Sequence, residues 1–190
     1  KVFIDGAEIR SMTDNEIGRF RSRTLGFVFQ EFNLLNTHTL YENIAMPLAL
    51  ARTKKAEVDE RVRAMAGQMD IEGILNKYPG ECSGGQRQRA AICRALIMRP
   101  KIIIADEPTG NLDRANSSEF LAMIDRLNKE QRVTVIMVTH DPLTASYSSR
   151  LVYIKDGVIE TSIERNQMSQ KEYFEKITEI NASESRGFLR

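Results

Sequence analysis

Apolar and polar positions follow two different periods along this chain. Short apolar runs with β-forming residues occur at Val2–Ile4, Ala7–Ile9, Leu25–Phe29, Lys101–Ala105, Val133–Val138, Leu151–Lys155 and Val158–Glu160. Asp5-Gly6 separates the first two and Asp156-Gly157 the last two, and such a pair between strands predicts a hairpin. From Phe32 to about Arg99 helical spacing takes over, with Val58, Val62, Met65 and Met69 forming one apolar stripe. Thr13-x-x-Glu16 is a capping-box pattern that opens a short helix to Arg23. Ser83-x-x-Gln86 opens another, which turns Ala91, Ile92, Ala95 and Leu96 inward and is closed by Pro100. Ser117–Asn128 puts Phe120, Leu121, Ile124 and Leu127 on one face, and a tail helix from Ser169 does so with Phe174, Ile177 and Ile180.

Continuous apolar strands alternating with helices predict an α/β fold with a parallel sheet covered on both faces. The 190 residues suffice for one sizeable domain, and 42% hydrophobic with 28% charged residues is ordinary for a soluble one. The net charge of +1 is spread along the chain, which gives no support to a dedicated nucleic-acid binder. No apolar run is long enough to cross a bilayer: Ile44–Ala51 is short and contains Pro47, and Ile102–Ala105 is shorter still. With no signal peptide in view, the expected location is cytoplasmic. Cys82 and Cys93 have no zinc spacing and are expected to be reduced thiols. The chain opens without Met and inside a strand, so it is expected to begin partway through a domain.

Two segments carry chemistry. The strand at Ile102–Ile104 runs into Ala105-Asp106-Glu107-Pro108, and ligands of open α/β sheets bind beyond the carboxyl ends of strands. Neighbouring strand residues point opposite ways, so the two acids have different tasks. One can hold a hard cation such as Mg²⁺, the other can orient or deprotonate water. In Ser83-Gly84-Gly85-Gln86, two glycines let the backbone approach a ligand and the following helix offers free N–H groups, an arrangement suited to phosphate. Each segment has a plainer reading: a solvated strand end, and a Gly-rich turn with an ordinary N-cap.

Taken together the motifs resemble the ABC-type ATPases. Cys82–Gln86 with Arg87-Gln88-Arg89 is similar to that family's signature sequence, and Ile103–Glu107 to its Walker B strand. Asn111-Leu112-Asp113 resembles the D-loop, Gln30 the Q-loop glutamine and His140 the switch histidine. The resemblance covers nearly the whole chain and fades after about Glu164. It implies a P-loop NTPase-like (RecA-like) parallel-sheet core with an inserted helical subdomain, here N-terminally truncated. The implied limits are residues 1–31 for the rest of an N-terminal β subdomain and the core strand leading to the Q-loop, and 32–99 for the helical subdomain. Residues 100–164 complete the core with Walker B, D-loop and switch histidine, and 165–190 form a C-terminal helix and tail.

The same resemblance implies residue roles. Asp106 binds Mg²⁺, assisted by Gln30, which also senses the permease; Glu107 activates water; His140 contacts the γ-phosphate of ATP. Ser83, Gly84, Gly85 and Gln86 meet the nucleotide of a second ATPase subunit, and Asp113 links the two composite sites. Implied partners are an integral-membrane permease and that second subunit, a homodimer in a head-to-tail sandwich, with no nucleic acid; the chain would lie on the inner face of the cell membrane. Arg19–Gln30 and Glu42–Leu48 resemble the lipoprotein-release and macrolide-exporter branch. The end, from Tyr147 through the 169–180 helix, is more similar to subunits serving bacitracin-type antimicrobial-peptide exporters.

Three departures stand out. No Gly-x-x-x-x-Gly-Lys-Ser/Thr occurs in the 190 residues; Gly80 and Gly85 have the glycine spacing, but Gln86 and Arg87 follow. Cys82 stands where the signature usually opens with Leu, and Cys93 where Ala is frequent. Without the phosphate loop the chain as given is expected to bind ATP poorly and not to hydrolyse it alone. The rival readings are a binding module that lends its signature to a partner ATPase, a DNA-repair ABC ATPase, which needs a long coiled coil, and a translation-associated ABC protein, which normally has two such domains.

Overall fold

The structure, a computed structural model, describes residues 1–187 apart from Asp5. It opens with an antiparallel ribbon of β1 (Phe3–Ile4) and β2 (Ala7–Glu8), paired Phe3 to Glu8 and Ile4 to Ala7. Of the Asp-Gly turn, Gly6 is seen at φ 79°, while Asp5 lies outside the described residues. Ile9 does not extend the second arm as expected: it starts a 3₁₀ turn, Ile9–Ser11, while its N–H still donates to the Val2 carbonyl. Helix α1 (Asp14–Thr24) follows, opened by the predicted capping box: Glu16 accepts from the Thr13 N–H at 2.8 Å and donates its own to the Thr13 hydroxyl at 3.4 Å.

The core is a parallel three-stranded sheet of β3 (Leu25–Phe29), β4 (Ile102–Asp106) and β5 (Thr134–Val138), with β4 in the middle. Between β3 and β4 the chain makes three helices, α2 (Leu40–Leu50), α3 (Lys55–Gln68) and α4 (Gly84–Leu96). Pro47 lies inside α2, so the proline that interrupts the apolar run does not end the helix. The α3 stripe packs inward through Val58, Val62, Ala66 and, just past the end, Met69, while Met65 is half-buried. Between β4 and β5 runs α5 (Arg114–Gln131), whose Phe120, Leu121, Ile124 and Leu127 are all buried as its spacing predicts.

One sheet face, with Val28, Ile103 and Ala105, is sealed against the buried cluster formed with these helices. The expectation of a sheet covered on both faces holds less well. On the other face Phe27 and Phe29 stack at 5.9 Å between centroids, and Ile136 and Val138 remain 50% and 55% exposed. Among the described residues, the helices with buried apolar stripes, α2 to α5, join the cluster on the first face, and none supplies a comparable stripe to the second.

After β5 come a short α6 (Pro142–Ala145) and a hairpin of β6 (Arg150–Lys155) and β7 (Val158–Glu164), longer than the predicted Val158–Glu160 arm and shifted in register at Tyr153/Ile154. Helix α7 (Gln170–Gly187) closes the described chain. Its inward face is Tyr173 and Ile177 rather than Phe174, Ile177 and Ile180, because the fully buried Tyr173 ring is anchored by its hydroxyl, which donates to the Ile163 carbonyl at 3.1 Å. Residues 188–190, the end of the expected tail, lie outside the described residues. Among those described, no helix is long and apolar enough to cross a membrane. Cys82 and Cys93 are buried free thiols.

Candidate functional site

Strand register builds the site. Phe29, Asp106 and Val138 lie side by side as the last residues of the three parallel strands. The residues that follow them, Gln30, Glu107 and Thr139-His140, therefore leave the sheet along one edge, the carboxyl edge where α/β folds place ligands.

Asp106 is exposed there, and its carboxylate enters no hydrogen bond or ion pair among the described residues. Glu107 behaves differently. Its backbone is left-handed, at φ 43°, which turns the chain sharply off the strand. The Glu107 N–H donates to the Val138 carbonyl at 2.9 Å, tying the turn to the neighbouring strand. Oε1 of Glu107 accepts the His140 backbone N–H at 2.9 Å and meets His140 Nδ1 at 2.8 Å, while Oε2 accepts from the Thr139 hydroxyl at 3.3 Å. The hydrogen bond to Glu107 is the main cause that raises the His140 pKa above its ordinary value, and the Glu107 charge adds to it. The His140 side chain is 87% exposed, so the rest of the ring faces solvent.

Gln30 reaches toward Asn111 along the same edge: its amide donates to Asn111 Oδ1 at 3.5 Å, and Asn111 Nδ2 donates to the Gln30 carbonyl at 3.1 Å. Gly110 makes this approach possible, since a Cβ there would sit 2.7 Å from Gln30 Nε2. Asp113 caps α5, with Oδ1 accepting the Asn116 N–H at 2.9 Å and Oδ2 the Asn116 amide at 2.7 Å. Those bonds hold the Asp113 carboxyl below its ordinary pKa.

The Ser83–Gln86 segment forms the predicted box, with Gln86 Oε1 accepting the Ser83 N–H at 2.9 Å and Gln86 N donating to the Ser83 hydroxyl at 3.3 Å. The first-turn N–H groups of Gly84 and Gly85 are left without intrahelical acceptors, as an anion site requires. A Cβ on Gly85 would lie 2.4 Å from Asn116 Oδ1, so α4 presses on the start of α5 at that glycine. The predicted residues thus fall into two groups. Glu107 and His140 touch each other, and Gln30 bonds to Asn111. Among the described residues, no hydrogen bond or ion pair connects Ser83–Gln86 to Gln30, Asp106, Glu107 or His140.

Several supporting contacts were not visible in the sequence. Gln88, 3% exposed, donates to the Pro108 carbonyl at 2.8 Å and so ties α4 to the turn that carries Glu107. Arg94 donates to the carbonyls of Phe32 and Asn33, and Arg87 lies over the Phe32 ring. Fully buried Asn43 holds the 35–39 loop, accepting from Leu35 N–H and donating to the carbonyls of Leu35, His38 and Thr39. Thr109 meets the buried Thr144 hydroxyl at 3.0 Å, linking the turn after Glu107 to α6. None has a local pattern to betray it, because each partner is distant in sequence or bonded through its backbone.

Comparison with known proteins identifies the family. The family described as ABC transporter matches residues 1–110. The bacitracin export ATP-binding protein BceA of Halalkalibacterium halodurans is 45% identical over 174 residues, 92% of this chain and 69% of that protein. The macrolide export ATP-binding/permease protein MacB of Syntrophobacter fumaroxidans is 46% identical over 158 residues, 82% of this chain but 22% of its own length. Among solved structures, a dimeric post-hydrolysis state of the ATP-binding cassette MJ0796, bound to ADP and Pi, has a TM-score of 0.77 and 36% identity, covering 85% of this chain and 72% of that one. On sequence and fold alike, the chain belongs to the ABC transporter family and is one of its nucleotide-binding ATPase cassettes.

Proposed function

We propose that this cassette powers an exporter of antimicrobial-peptide, lipoprotein or drug-like substrates, docked from the inner face of the membrane on an integral-membrane permease and paired head to tail with a second copy. The relatives named for bacitracin and macrolide export motivate the substrate class, and the dimeric neighbour motivates the pairing. In this reading residues 1–31 are the rest of an N-terminal β subdomain with the core strand that leads to Gln30, 32–99 the helical subdomain that meets the permease, 100–164 the remaining core, and 165–190 a C-terminal helix and tail.

The observation that carries the catalytic part is the Glu107–His140 contact at the carboxyl edge of the sheet. Phosphoryl transfer needs positioning and charge stabilisation more than covalent help from the protein. Glu107, its carboxylate fixed by Thr139 and His140, takes the proton of the attacking water. With Nδ1 donating to that carboxylate, a charged His140 has its Nε2–H left for the γ-phosphate, and the raised pKa favours that charged form. Ser83, Gly84, Gly85 and Gln86 close over the nucleotide of the second copy, and Asp113 carries contact between the two sites.

The donors fit Mg²⁺. This ion binds through one or two carboxylates together with phosphates and water. Asp106, on the strand edge that Gln30 also leaves, offers an exposed carboxylate with no hydrogen bond or ion pair among the described residues. Bound there, it would neutralise phosphate charge. Among the described residues no group of three or more His, Cys, Asp or Glu side chains could hold a metal, so substrate oxygens and water would complete the shell.

In the assembled transporter, Glu107→Gln is expected to cut ATP turnover by roughly 10²–10⁴-fold while ATP still binds. Turnover within about twofold of the parent would overturn the assignment. The 190 residues by themselves have no glycine-lysine loop to cradle the α- and β-phosphates. They are expected to show no turnover, and hydrolysis by them that Glu107→Gln abolishes would contradict this.

A further inference from the structure

The segment after β3 holds an unusual backbone. Phe32 and Asn33 are consecutive left-handed residues, at φ 61° and 47°, two and three positions beyond Gln30. Asn tolerates that conformation, but a bulky aromatic rarely adopts it without help from its surroundings. The help comes from α4. Arg94 donates to the Asn33 carbonyl at 2.6 Å and to the Phe32 carbonyl at 2.9 Å. Arg87 sits two helical turns earlier, and residues seven apart share a helix face. Its guanidinium carbon lies 5.5 Å from the centre of the Phe32 ring, and that residue is only 6% exposed.

The partners of the two arginines matter. Among the described residues Arg94 has no carboxylate partner, and burial lowers its pKa. Among the described residues the Nε of Arg87 is buried without an acceptor. Two cations are thus held at this spot by backbone carbonyls and an aromatic face, an arrangement that ties the 32–33 turn to α4. The same helix begins at Ser83–Gln86 and grips the Pro108 carbonyl through Gln88. One rigid element therefore connects the segment that presents Gln30, the turn that presents Glu107 and the anion-binding N-terminus.

We propose that Arg94, with Arg87, is a positioning residue for hydrolysis: it latches the left-handed Phe32-Asn33 turn to α4 and so holds Gln30 against Asn111 and Gly110. Displacement of α4 is then transmitted to Gln30 through the two donated bonds. This deepens the functional reading above and rests on its assignment of Gln30 to the ATP site.

The test is ATP hydrolysis by the assembled transporter, with kcat and KM measured separately. Arg94→Met keeps most of the length and loses both donated bonds. It is expected to lower kcat about tenfold and to change the KM for ATP by less than about twofold, since it displaces a group without removing a nucleotide contact. Arg94→Lys, which can keep one of the bonds, falls between. In a Gln30→Ala background Arg94→Met changes kcat by less than about twofold, because the residue it positions is already gone. Arg63→Met, which removes a surface partner of Asp59 on α3, serves as the control and leaves kcat unchanged.

Equal losses with and without the Gln30 side chain, or a lowered melting temperature with unchanged kcat, would overturn the proposal. Where Arg94→Met does not fold, Phe32→Leu takes its place: it removes the ring under Arg87, and the same non-additivity with Gln30→Ala is required. Glu107→Gln is run alongside. If it keeps full turnover, the functional reading fails; if it abolishes turnover while the Arg94 and Gln30 effects add, only the latch fails.

Discussion

At the scale of single residues, Glu107 and His140 define what the edge of the sheet can do. His140 has a raised folded pKa, so the pair contributes fully below the ordinary histidine value of about 6.5 and is lost as pH rises through the raised one. NMR titration of the His140 ring should give a midpoint above about 6.5, and Glu107→Gln should bring it down toward that value. An unchanged midpoint would show that the contact does not form in solution. Cys93 makes a second case. Burial pushes its thiol up to about 12, so a maleimide at pH 8 should leave it unmodified in the folded protein and label it after denaturation. Chemically, then, the two cysteines that depart from the family pattern, Cys82 and Cys93, are packing residues, with burial raising the Cys82 thiol as well. The residue types at the site were visible in the sequence, but the Glu107 turn was not. Left-handed backbone at a glutamate has no local signal; the bond from its N–H to Val138, 31 positions away, imposes it.

Among elements, α4 carries the most consequences. It starts at a box that satisfies two first-turn donors and packs against the start of α5 at Gly85. Removing the cap with Ser83→Ala should cost about 1 kcal/mol in chemical denaturation. Gly85→Ala should cost about 1–3 kcal/mol, because the new methyl meets an Asn116 side chain already committed to Asp113. Smaller losses would mean that α5 yields easily at its start. Capping also shows how legible the elements were. Thr13 and Ser83 announce their helices through a side-chain pattern that works within four residues, whatever the rest of the fold does. The boxes at Thr39 and Ser169 follow the same rule. The inward face of α7 does not, since Phe174 and Tyr173 are equally apolar candidates until the Ile163 carbonyl selects the tyrosine hydroxyl.

For the whole molecule, burial is uneven. The sheet and α2 to α5 share one large cluster, whereas α6, the β6–β7 hairpin and α7 depend on Ala145, Tyr173 and Ile177 with a few half-buried neighbours. Local opening tracks buried apolar contact, so amide exchange should be faster in β6, β7 and α7 than in β3 and β4. Equal protection would mean that the C-terminal elements open only with the core. Ile103→Ala, in the middle strand and 1% exposed, should cost about 2–5 kcal/mol. The three-stranded sheet is also where the expectation from patterning went furthest and then stopped. Apolar residues on both faces of β3 to β5 announced a parallel sheet, but patterning cannot say which face a given helix covers.

The sequence alone determined the family, the order of the strands and longer helices, and the residue types at each end of the site, because periodicity, caps and short motifs act over a few neighbouring positions. Only the tertiary structure decided that Gln30, Asp106, Glu107 and His140 emerge together, since that depends on the register of three strands drawn from residues more than a hundred positions apart. It also decided that Glu107 rests on His140, that Asp106 has no hydrogen bond or ion pair among the described residues, and that two arginines of one helix meet the left-handed Phe32-Asn33 turn. Those outcomes follow from which backbone carbonyls and donors lie within reach once the core has packed, and no local rule supplies that information.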